Sequence, residues 1–201
     1  MRPGHSDRWA GAAAIVGGVL WVVGTVIHAS KPVGCVAEEC ARRPMRESSV
    51  VEGILSLGAF LLFAIAAVAL VVLVRRAGRF GKLGKAATVL ALVGVCVLVI
   101  ASLFQALVFD GDLPLMPYFV IPGIAALIVG FVLLAVTVLR SGVLPRWAAA
   151  SLLVGALAMT GFNEQTAAAW LAIPFGLAWI VVGYALWIKE PSLTGTGRPA
   201  Q

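Results

Sequence analysis

The sequence predicts an all-α integral membrane protein, a single six-helix bundle with both termini cytoplasmic, and three observations carry that reading. Six apolar stretches, at residues 9–28, 50–74, 86–108, 118–139, 147–162 and 166–188, lie near the roughly 20 residues that a helix needs to cross a bilayer. Hydrophobic residues make up 61% of the chain, with a mean hydropathy of +1.03, well above the roughly 45–50% apolar content of a soluble domain. A soluble fold of 201 residues has no interior large enough to hide them. The third observation is that basic charge alternates from loop to loop.

With the N-terminus inside, eleven basic residues fall on the inner side: Arg2, Arg8, Arg75, Arg76, Arg79, Lys82, Lys85, Arg140, Arg146, Lys189 and Arg198. The outer loops hold four, Lys31, Arg42, Arg43 and Arg46. Lys and Arg near span ends set orientation, so the bias predicts cytoplasmic termini. Most acidic residues lie on the other side, including Glu38, Glu39, Glu47, Glu52 and Glu164. The net charge of +6 is thereby a topology signal and calls for no nucleic-acid partner.

Residues 1–8 form a short cytoplasmic tail, and the first span follows. Gly17, Trp21, Gly24 and His28 share one face of it by steps of four, three and four, and small residues on such a face allow close helix contact. A cleaved signal peptide ending near Ala29 is the weaker reading, since the run from Ala10 to Ile27 exceeds the 7 to 15 residues of a signal core and Ile27 is not small. The first outer loop carries Cys35 and Cys40. Facing an oxidising compartment, the pair is expected to form an intraloop disulfide, and so small a ring stabilises by only about 2 kcal/mol.

The second span opens on Glu52, with Ser56 and Ala59 below it on one face. Between spans two and three, Gly78, Gly81 and Gly84 recur every third residue, interleaved with Arg79, Lys82 and Lys85. No Gly-Lys-Ser/Thr triplet follows, so a phosphate loop is not indicated. A flexible basic linker whose Arg75, Arg76, Arg79, Lys82 and Lys85 lie against anionic lipid head groups is the expectation, with a specific phospholipid or phosphate site as the lesser alternative. The third span carries Gly94, Ser102 and Gln105, with Cys96 near its middle as a small apolar side chain. Asp110, Gly111 and Asp112, followed by Pro114 and Pro117, read as an outer turn.

The fourth span begins at Tyr118 and contains Pro122. The fifth has 16 residues, or about 24 Å of helix, short for a hydrocarbon core of about 30 Å. If Arg146 and Trp147 pin its inner end, Asn163 and Glu164 are drawn below the outer surface. Pro174, placed inside the sixth span, is expected to leave the Trp170 carbonyl without its helical donor, as Pro122 does near Tyr118. Residues 189–201, rich in Gly, Pro, Ser and Thr, form a flexible cytoplasmic tail.

Ionisable groups in hydrocarbon cost about 2.5 to 3.5 kcal/mol each at mid-membrane, so their placement is the best guide to function. His28, Glu52, Gln105, Asn163 and Glu164 all gather toward the outer side, which with Tyr118 and Trp170 predicts a polar pocket open to that side. It would take a small cationic or polar ligand, a lipid head group or a proton, and a histidine beside a carboxylate is suited to titrate near neutral pH. The bland account is a set of packing faces that end in interfacial polar residues.

No catalytic constellation is present: the chain has no Gly-x-Ser-x-Gly elbow and no His-Glu-x-x-His motif, and its only histidines are His5 and His28. A metal site built on the two cysteines would need further ligands such as His28 and Glu38, and the spacing points to none. No cofactor is called for. A membrane thiol oxidoreductase passing electrons from Cys35 and Cys40 to a quinone is the alternative. Against it stand the four-residue spacing of the pair and the lack of a second outer pair. No match between spans one to three and four to six supports the inverted repeat of many transporters.

Ser141 to Trp147, Ser-Gly-Val-Leu-Pro-Arg-Trp, and Ile173 to Trp179, Ile-Pro-Phe-Gly-Leu-Ala-Trp, resemble segments of uncharacterised small multi-span membrane proteins of GC-rich bacteria. The resemblance covers mainly residues 141–188 and implies a bacterial plasma-membrane location, with no activity attached. The expected function is that of a non-enzymatic binding, accessory or transport-related component. A second copy of the chain or another membrane protein is a further candidate partner.

Overall fold

A computed structural model describes residues 3–42, 44–108 and 116–188. It is all-helical, with α1 over Pro3–Ala29, α2 over Val50–Arg76, α3 over Lys82–Val108, α4 over Met116–Ser141, α5 over Arg146–Ala158 and α6 over Ile173–Ile188. Short 3-10 turns at Ala37–Ala41, Met159–Gly161 and Ala167–Ala172 complete it. Among the described residues, five segments are long and apolar enough to cross a membrane, one within each of α1 to α4 and the Ala167–Ile188 stretch that joins the last 3-10 turn to α6. α5 is the exception, since its 13 residues give only about 20 Å of helix.

The helices pack in the order α2, α1, α6, α5, α4, α3, and α2 touches α4 only marginally. Small residues make the tightest of these contacts. A Cβ on Gly11 would lie 2.8 Å from the Gly183 carbonyl, and one on Gly176 would lie 3.0 Å from the Gly18 carbonyl. The two helices, running antiparallel, therefore meet backbone to backbone at two levels seven residues apart. Such close approach is how apolar helices gain packing energy in lipid, where no hydrophobic drive separates side chain from solvent. Gly94 and Gly130 do the same between α3 and α4, against Leu127 and Ala91.

Gly17 and Gly24, on the face expected for α1, lie against Leu62, Phe63 and Leu55 of α2. That face is a packing face over most of its length. The centre of the bundle is aromatic, with Phe63 stacked on Trp179 at 5.0 Å and Phe131 and Phe175 meeting Trp179 edge-on. The Trp179 indole is fully buried, and its N–H finds no oxygen acceptor among the described residues.

Pro174 does not interrupt a helix. The chain runs as a 3-10 turn to Ala172 and starts α6 at Ile173, so the proline sits in the first turn, where its missing N–H costs nothing. The Trp170 carbonyl, expected to be orphaned, accepts the Ile173 N–H, and the Trp21 indole N–H donates to the Ala172 carbonyl at 2.9 Å. Pro122 does lie inside α4.

The glycine-rich basic loop is short and ordered. Gly78 takes φ +69°, just past the end of α2, and the Arg79 and Gly78 N–H groups return to the Val74 and Arg75 carbonyls at 3.2 and 3.0 Å. This is a Schellman cap, which needs a residue free to adopt positive φ.

Candidate functional site

At the end of the bundle that carries His28, α1 finishes, α2 begins and the α5–α6 connection turns. Here Ser49 caps α2: its hydroxyl accepts the Glu52 N–H while the Glu52 carboxylate accepts from the Ser49 N–H, a reciprocal capping box. The cap aims the carboxylate back across the helix end toward α1. His28 Nδ1 lies 2.9 Å from Glu52 Oε2, and Lys31 Nζ lies 2.5 Å from Oε1. Glu52 is only 4% exposed, and its two cationic or donor partners together with Ser49 satisfy a group that would otherwise be costly to bury.

The other ring nitrogen of His28 lies 3.2 Å from the Glu164 carbonyl oxygen. Both partners of the ring, a carboxylate and a carbonyl, are acceptors, so the imidazole serves both at once only when it carries two N–H groups. His28 in this way ties α1 to the start of α2 and to the α5–α6 turn.

A second knot lies beside it. Arg46, 6% exposed, donates to the carbonyls of Glu164 at 2.7 Å, Pro32 at 3.1 Å, Lys31 at 3.3 Å and Thr166 at 3.4 Å. The Gln165 side chain accepts the Arg46 N–H at 2.6 Å, and the Gly34 N–H donates to the Gln165 carbonyl at 2.9 Å. Next to Gly34, Cys35 is buried and is joined to Cys40 by a disulfide. The loop after α1 is thus stitched onto the α5–α6 turn by a guanidinium that bonds to carbonyl oxygens on both sides.

Below the polar cluster opens a cavity of about 450 Å³, within the range of small-molecule sites. Its polar lining is His28, Thr25, Ser48, Glu52, Ser56 and Glu164, at one end, and its remaining walls are apolar, among them Trp21, Phe60, Leu98, Ile124, Ile128, Phe131 and Phe175. The Thr25 and Ser56 hydroxyls make no hydrogen bond within the described structure, which leaves them available to an occupant.

Of the residues expected to form a pocket, the structure brings together His28, Glu52 and Glu164, and it is the backbone of Glu164 that takes part in the cluster. Asn163 is exposed and accepts the Gln165 N–H at 2.9 Å, shaping the turn. Tyr118 and Trp170, 77% and 44% exposed, are not among the cavity's lining residues. The Gln105 side chain lies outside the described residues, as do Arg43, Asp110, Asp112 and residues 189–201. Among the described residues no three His, Cys, Asp or Glu side chains converge as metal ligands.

Lys31, Ser49, Arg46 and Gln165 were not legible as site residues. The Ser49-Val-Val-Glu52 spacing before an apolar run is a capping-box signature and could have fixed the direction of the Glu52 carboxylate. Nothing in the sequence marks Arg46 or Gln165, whose partners lie more than a hundred residues away. Comparison with family models, with curated proteins and with solved structures gives no match.

Proposed function

We propose that the chain is a six-span plasma-membrane protein with both termini in the cytoplasm, in which the cavity beneath His28 and Glu52 holds a ligand and opens to the extracytoplasmic side. On this reading it is a non-enzymatic binding or transport-related component. The observation that carries it is the division of the cavity, with hydrogen-bonding groups confined to one end and apolar walls elsewhere. Such a site orients an amphiphilic ligand, its polar part at the mouth and its apolar part below.

The orientation is supported by the charge bias between loops, and α5, too short to cross alone, reaches the outer side with the help of the Met159–Gly161 turn and local thinning of the bilayer. Burial of Cys35 beside the Arg46 knot supports a structural disulfide over a thiol relay. The exposed Arg75, Arg76, Lys82 and Lys85 then face anionic head groups on the inner leaflet, and Arg79 is shared between them and the Ser141 carbonyl, to which it donates at 2.8 Å.

The test is thiol labelling in intact cells with a membrane-impermeant methanethiosulfonate, in a background where Cys96 is replaced by Ser. Ser56→Cys, lining the cavity, should react at least about tenfold faster than Leu57→Cys, which sits at the same depth on the lipid side of α2, because only a hydrated thiol ionises readily. Equal rates would rule out an outward-open pocket.

A further inference from the structure

Taking the cavity to be a ligand site as proposed, we infer that its occupant is a hydrocarbon chain of an outer-leaflet lipid, which enters sideways between α2 and α4 and leaves its head group at the His28, Glu52 and Lys31 cluster. Three features of the cavity point to a lipid chain over a water-borne solute.

Depth is the first. Along α1 the lining runs from His28 to Trp21, and along α2 from Glu52 to Phe60, which is about 10–12 Å at 1.5 Å per residue. The hydrocarbon depth of one leaflet is about 15 Å. The lined length is therefore shorter than the hydrocarbon of one leaflet, and it ends on a floor of Phe131 and Phe175 backed by Phe63 and Trp179.

The second feature is the side wall. α2 packs on α1 and α3 packs on α4, while α2 and α4 barely meet, so the wall between Phe60 of α2 and Ile124 and Ile128 of α4 is left to side chains, with Leu98 of α3 among them. Phe60 is 38% exposed, and its neighbours Leu57 and Leu61 stand on the lipid-facing surface of α2. Only side chains separate hydrocarbon outside from hydrocarbon inside along this wall.

The third is chemistry. Water in the lower part would find no polar partners, and an apolar space of this kind does not hold water well. At the top, the unbonded Thr25 and Ser56 hydroxyls and Lys31, whose ammonium bonds Glu52 and the Glu47 carbonyl and keeps a third N–H, can meet the ester and phosphate oxygens of a lipid.

The experiment places benzoylphenylalanine at Ile128, in the cavity wall, and separately at Ile121, 69% exposed on the same helix, with the protein in phosphatidylcholine nanodiscs. After irradiation, intact mass is measured. Both positions should gain one phosphatidylcholine mass, and Gly53→Trp should reduce the Ile128 adduct severalfold while leaving the Ile121 adduct unchanged. A Cβ at Gly53 meets nothing within 4 Å, so the substitution fills space without displacing backbone, and Ser56→Phe provides an independent plug. If Ile121 labels and Ile128 does not, or if neither plug diminishes the Ile128 adduct, the lipid assignment is overturned. Should Ser56→Cys still react from water in that case, the pocket stands and only its occupant is wrong; if Ser56→Cys is as slow as Leu57→Cys, the pocket itself falls.

Discussion

The histidine end and the basic-loop end of the bundle use the same materials, cationic side chains and helix-terminal carbonyls, in opposite ways. At the histidine end, Arg46 and Glu52 are nearly buried, and their partners come from the loop after α1, the start of α2 and the α5–α6 turn. At the basic end, Arg75, Arg76, Lys82 and Lys85 are exposed, Arg75 lies over the Phe80 ring at 4.5 Å, and Arg79 donates to the distant Ser141 carbonyl. The fold of the basic loop is set locally by the Schellman cap at Gly78.

The difference shows where the chain must commit its polar groups. Where helix ends meet around a cavity, the charges that become buried, Arg46 and Glu52, are satisfied within the protein. A loop standing free at the surface needs only a cap, and its charges remain exposed. The first arrangement couples distant elements and the second does not.

Arg46→Met should show the contrast most strongly. It strands four carbonyls that share one guanidinium, and we expect a loss of about 3 kcal/mol, read as a lowered Tm in detergent. Arg79→Met, which removes a single bond at an exposed site, should cost about 1 kcal/mol. Equal effects would break the distinction between the ends.

Glu52→Ala comes next, at about 2 kcal/mol, since it removes half the capping box and the acceptor for His28 and Lys31. Adding His28→Ala to Glu52→Ala should cost less than the sum of the two single changes, because the pair acts as one unit. A strictly additive double-mutant cycle would mean that the 2.9 Å contact contributes nothing.

At the basic end, Gly78→Ala should lower stability by about 1 kcal/mol through positive φ alone, with no change at the histidine end. Lys82→Gln with Lys85→Gln should leave Tm unchanged and weaken the preference for anionic over zwitterionic lipid around the protein in mixed-lipid nanodiscs by about 1 kcal/mol per charge. A drop in Tm in that variant would show that these lysines are structural.

Much of this was legible in the sequence. The periodicity of small residues identified the face of α1 that carries Gly17 and Gly24, although its partner, α2, came only from the structure. Cys35 and Cys40 were close enough in sequence for their pairing to be expected, and the disulfide is present. Pro174 misled because proline within an apolar run looks like a broken helix, whereas the chain uses a 3-10 turn to move it to the start of α6. Tyr118 and Trp170 were placed at the right end of their segments, but direction around a helix depends on packing that hydropathy does not encode.

By itself the sequence determined the all-helical class, the apolar segments, the charge asymmetry and the short disulfide ring; the capping box at Ser49 and the glycine cap at Gly78 are equally local but were recognised only in the structure. Each depends on residues within a few positions of one another or on composition summed along a segment. Only the tertiary structure decided that α2 leans away from α4 to leave a cavity, that His28 bridges Glu52 and the Glu164 carbonyl, and that Arg46 binds two loops together. Those contacts join residues far apart in the chain, and their geometry follows from how glycine-lined helices settle against one another.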